Sequence, residues 1–137
     1  MPTHHNKTLA TTLALLLGGV GAHRFYLRGP QDKWGMLHLA SVGASVLIYF
    51  LMIHADWFFQ ILPLLVSYIA GFIEGFVIGL MPDEKFDAKY NSGSGRKSES
   101  SWYLAVVLVT MMLAAGITTI ATMARLFDLL YTGGAYG

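Results

Sequence analysis

The sequence has no cysteine, which excludes disulfide staples, thiolate metal sites and a cysteine nucleophile and leaves the redox compartment open. Charge is also scarce: 12% of residues are Asp, Glu, Lys or Arg, and the net charge is only +1. No general basic field exists for a nucleic acid, so no nucleic-acid partner is expected. With 55% hydrophobic residues and a mean hydropathy of +0.54, polar surface is too sparse to cover a water-soluble globule of this size. No P-loop, glycine-rich phosphate cradle or nucleophile and base pair is visible, so neither an enzyme nor a cofactor is expected.

What the sequence does have is four apolar runs: Thr8 to Ala22, Trp34 to Ile53, Trp57 to Met81 and Trp102 to Ala124. Each of the last three reaches ~30 Å or more as a helix, enough to span hydrocarbon. The first reaches only ~22 Å. It either borrows His23 to Leu27 with Arg24 snorkelling, or forms a short span in a thinned bilayer; a re-entrant segment is the alternative. Its small-residue end imitates a signal-peptide cleavage site, but only Lys7 precedes it and more membrane follows, so no cleavage is expected. The expected fold is all-α, an integral membrane bundle of four transmembrane helices, the first one short. Residues 1–91 form a membrane domain with three apolar spans and 92–101 a flexible cytoplasmic linker. Residues 102–124 form the fourth helix and 125–137 an interfacial or disordered tail.

Lysine and arginine orient the bundle. The 23–33 connection holds Arg24, Arg28 and Lys33, the 82–101 connection holds Lys85, Lys89, Arg96 and Lys97, and the 54–56 connection holds none. The two positive connections are expected on the cytoplasmic side and both termini on the other. Trp34, Trp57 and Trp102 open three runs, as an aromatic belt at headgroup depth would.

Inside a bilayer, helices associate by close backbone approach, which needs small residues on one face. Two stripes at four-residue spacing qualify: Ala10, Ala14, Gly18 and Ala22 in the first run, and Ser67, Gly71, Gly75 and Gly79 in the third. They predict either a contact within the chain or a homo-oligomer interface. The expected partners are the lipid bilayer and either a second copy or another membrane protein.

Glu74 is the acidic residue set deep in an apolar run, where a charge costs ~3 kcal/mol. His23, Arg24 and His38 fall at similar depth, and an Arg24–Glu74 ion pair is the preferred arrangement. Three roles follow from these residue types: a structural staple between helices, a proton or ion relay through Glu74 and His38, or phosphate recognition. Arg24, Arg28 and Lys33 are the candidate lipid-headgroup contacts. His4 and His5 read as solvated, and no metal site is expected.

The run Gly18-Gly19-Val20-Gly21-Ala22-His23-Arg24-Phe25-Tyr26-Leu27 resembles the hallmark of the transmembrane-two domain family, a short apolar helix ending in Gly-Gly-x-Gly-Ala-His-Arg-Phe-Tyr-Leu-Gly. Here Arg28 precedes Gly29, and a whole apolar run intervenes before the acidic helix. Glu74 is similar to the acidic residue of that family's second helix, and the segment 83–91 is similar to the polar end of some bacterial members. The resemblance implies a small non-enzymatic membrane module, pairs His23 and Arg24 with Glu74, and supplies no substrate. The function expected is self-assembly or binding to another membrane protein in a bacterial cytoplasmic membrane; the alternative is a small ion or proton channel built on the Glu74 cluster.

Overall fold

A computed structural model describes residues 3–136. Met1, Pro2 and Gly137, which end the membrane-domain and tail segments named above, lie outside the described residues. All regular structure among the described residues is helical. Helix α1 (Lys7–Leu17) is capped by the Asn6 side chain, which accepts from Leu9 N. A 3-10 turn at Gly18–Val20 leads into α2 (Ala22–Arg28). Asp32 and Asp56 cap α3 (Lys33–Leu51) and α4 (Trp57–Gly79) in the same way. The short α5 (Asp83–Tyr90) precedes α6 (Trp102–Thr132). Three helices, α3, α4 and α6, are long and apolar enough to cross a membrane, and the first apolar helix is shorter.

That first run follows a bent course. Gly21 has φ +75°, a left-handed conformation that a side chain would strain, and there the chain reverses. Helix α2 returns along α1: Tyr26 Oη accepts from Asn6 N at 2.8 Å, and Ala10 and Leu27 share one buried cluster with Ile78 and Phe86. The other end of this hairpin, its tip, sits against the middle of α4. A Cβ on Gly71 would stand 2.7 Å from Gly18 Cα, so the two backbones touch. Further along the same helices Gly75 faces Ala14 and Met111, and Gly79 faces Thr11 and Leu108.

The hairpin sets where the first helix stands against α4. Lys7, buried, donates from Nζ to Met81 O at 2.9 Å and pairs with Asp83 just beyond the end of α4. At the opposite end of α4, Arg125 pairs with Asp56 at 2.7 Å. Lys7 and Arg125 therefore lie at opposite ends of α4. Helix α6 continues past Ala124 to Thr132. Arg125 is held by Asp56 and by Asp128 at 2.7 Å, which anchors the added turns. The 92–101 segment is non-helical and tied down by Asp87, which accepts from Ser98 N at 2.7 Å, and by Asp83, which accepts from Ser100 N at 2.8 Å.

Candidate functional site

The hairpin tip delivers His23 and Arg24 to Glu74 on α4, and α3 delivers His38. Arg24 forms a two-pronged ion pair, donating from Nε to Glu74 Oε2 at 2.7 Å and from Nη2 to Oε1 at 2.6 Å. Its Nη1 reaches Asp32 Oδ2 at 3.3 Å, and its guanidinium lies over the Trp34 ring, 5.9 Å from the centroid. Asp32 was not singled out in the sequence. It caps α3 through Gly35 N at 2.8 Å and also shares Arg24, so one carboxylate sets a helix start and half-neutralises a cation. Two prongs in fixed planar geometry are what guanidinium supplies and an ammonium does not.

The two histidines play different parts. His23 is fully buried and donates from Nε2 to Glu74 Oε2 at 2.6 Å, which leaves its Nδ1 as a buried lone pair with no partner. His38 is fixed by a chain of donors. Ser67 Oγ gives its hydrogen to Gly19 O at 2.7 Å, so it can only accept from His38 Nδ1, at 2.7 Å. The other nitrogen, His38 Nε2, then faces Glu74 Oε2 at 3.4 Å.

His23, His38 and Glu74 also offer three ligand atoms within 4.8 Å of one another, a donor set that the sequence reading, which weighed His4 and His5 for a metal, did not consider. Two features oppose a divalent cation. Arg24 already occupies both carboxylate oxygens, and a metal on His23 Nε2 would force hydrogen onto the partnerless Nδ1. His4 and His5 lie apart from the cluster, on Ser94 Oγ at 3.2 Å and Asn91 Oδ1 at 2.7 Å.

Glu74 lines two cavities. One, about 470 Å³, is a groove between α3 and α4 whose walls are small at Ala40, Ala44 and Ala70 and whose polar floor is Ser41, His38, Ser67 and Glu74. The other, about 260 Å³, lies between α2, α4 and α5 and carries Arg24, Arg28 and Lys89. Of the candidate headgroup contacts, Arg24 is engaged with carboxylates, Arg28 stands at this second cavity, and Lys33 is exposed on α3 and lines neither. Lys89 is the lysine that sequence reasoning passed over, because its approach depends on how α5 folds back.

At the polar end, two carboxyl groups are shifted. Asp87 is pulled down to about 2, first by the Ser98 hydroxyl and then by the Asn91 amide and the Ser98 backbone. Burial works against ionisation of Asp83 more than any other single influence, yet Lys7 and Ser100 together hold its carboxyl below the ordinary range.

Residues 3–58 match the family model described as TM2 domain. The matched segment holds the hairpin, α3 and the start of α4, and so includes His23, Arg24 and His38 but not Glu74. No curated protein and no solved structure matches the chain.

Proposed function

We propose, for a chain that carries a TM2 domain at residues 3–58, a non-enzymatic membrane module that assembles with a further transmembrane helix in the groove between α3 and α4. The observation that carries this reading is the groove itself. Its alanine walls at Ala40, Ala44 and Ala70 permit close backbone approach, and its floor of hydroxyl, imidazole and carboxylate groups is poorly served by acyl chains but can be met by a polar side chain of a partner helix. The ion pair beneath it gives the groove a fixed base, since Arg24 and Asp32 tie the hairpin and α3 to α4.

Because the sequence has no cysteine, a single Ala44→Cys reports the groove alone. In native membranes, a cross-linker at this position is expected to give one defined adduct, lost when Ala70→Leu fills the groove. Leu47→Cys, on an exposed part of α3, gives none. An adduct of twice the chain mass identifies a second copy as the helix donor; any other defined mass identifies a different membrane protein. Equal labelling of both positions with no defined adduct defeats the reading.

A second reading is favoured by one observation: Glu74, with His38 Nε2 at 3.4 Å, lines cavities on two sides, as a proton-relay group does. Proton flux in liposomes that disappears with Glu74→Gln supports it, and wild-type vesicles that hold a pH gradient as well as empty ones refute it.

A further inference from the structure

The cavity between α2, α4 and α5 combines features that no part of the assembly reading uses. Its mouth carries two cations from different helices, Arg28 and Lys89. Arg28 has only a distant carboxylate, Asp32 at 3.9 Å, and its side chain is 44% exposed. Among the described residues Lys89 has no carboxylate within ion-pairing distance; its ammonium rests over the Tyr90 ring, 5.3 Å from the centroid. Two under-neutralised cations facing one concavity repel each other unless an anion sits between them. The carboxylate on the cavity floor, Glu74, is already neutralised by Arg24.

The walls say which anion. Ile73 and Val77 line the cavity, yet they are 61% and 58% exposed and lie on the outer face of α4, one of the three helices apolar enough to cross a membrane. The concavity is thus open sideways along an apolar strip as well as toward the polar end. A free phosphate gains nothing from that strip, whereas a phospholipid places its headgroup among the cations and an acyl chain along Ile73 and Val77. We infer that this cavity is a binding site for an anionic membrane phospholipid, with Arg28 and Lys89 on the phosphate and the α4 strip against the chain.

The test uses the full chain in nanodiscs made from equal phosphatidylglycerol and phosphatidylcholine, released in mild detergent and weighed by native mass spectrometry. Wild type is expected to retain phosphatidylglycerol in preference to phosphatidylcholine. Each basic side chain near an anionic headgroup is worth about fivefold, so Lys89→Gln lowers the preference by about that factor and Arg28→Gln/Lys89→Gln abolishes it. Lys85→Gln, an exposed lysine on the same helix that does not line the cavity, leaves it unchanged. An equal loss with Lys85→Gln means general surface charge and overturns the site. No preference in wild type overturns it too, as does displacement of the lipid by millimolar inorganic phosphate, which would mark a site for free phosphate. Should the double variant fail to stay folded, Lys89→Gln alone, at an exposed position, decides the question by its fivefold step.

Discussion

Replacing Gly71 by alanine adds one carbon where two backbones meet. That carbon would stand 2.7 Å from both the Cα and the carbonyl carbon of Gly18 and 2.8 Å from its oxygen. Every atom it meets is backbone, so no side chain can swing aside and the hairpin tip itself must lift. Overpacking of this kind costs about 1–3 kcal/mol. Alanine also improves helix propensity by up to about 1 kcal/mol over glycine, and that gain is common to all helical glycines. Gly43 and Gly116, also in helices, have nothing within 4 Å of an added Cβ, so they supply the reference. Gly71→Ala is expected to be less stable than Gly43→Ala or Gly116→Ala by about 1–3 kcal/mol, measured by reversible unfolding in mixed micelles as the fraction of denaturing detergent rises. If the three variants agree within about 0.5 kcal/mol, smaller than any overpacking cost, the hairpin is not seated on α4 and the site derived from that seating falls with it.

Other perturbations have equally definite outcomes. In a double-mutant cycle of Arg24→Gln and Glu74→Gln, the double variant should cost less stability than the sum of the two single variants, with a coupling of about 1–3 kcal/mol; additivity would mean that the pair is not formed. Asp87, lowered to about 2 in the folded chain, contributes stability that is fully present above its unfolded value of about 3.9 and is lost as pH falls through about 2. Protease sensitivity of the 92–101 segment should therefore be flat from pH 7 to 5 and rise only near pH 2, whereas Asp87→Asn should raise it at every pH. Arg125→Gln removes both ion pairs that hold the last turns of α6, so amide exchange over 126–132 should quicken while exchange in α4 stays as it was.

The three long helices and their order were legible because their apolar runs are long and cleanly bounded. The cluster was legible for a related reason: a carboxylate in hydrocarbon needs a partner, and His23, Arg24 and His38 were the polar groups at its depth. The course of the first run was harder to read, since length alone does not separate a short span from a hairpin. What decides is the left-handed Gly21 together with the close approach of Gly18 to Gly71, and the second of these is a tertiary fact. Counting charges assumes that each run crosses, so it carries no signal for a hairpin. Lys7 illustrates the gap: in sequence it is a lone flanking charge, but once the hairpin forms it is buried against Met81 O and Asp83.

The seat of the hairpin bears on what counts as a unit of folding here. The segment matched as TM2 domain ends at residue 58, but the groups that receive its tip, Gly71 and Glu74, come later, and the Arg24–Glu74 bond joins positions 50 apart. As the chain leaves the ribosome, Arg24 is made well before its carboxylate exists. Until α4 is made, the cation must remain at the headgroups and the glycine turn has nothing to rest on. The family segment is therefore a donor awaiting an acceptor, and α4 is the part that turns it into a folded domain.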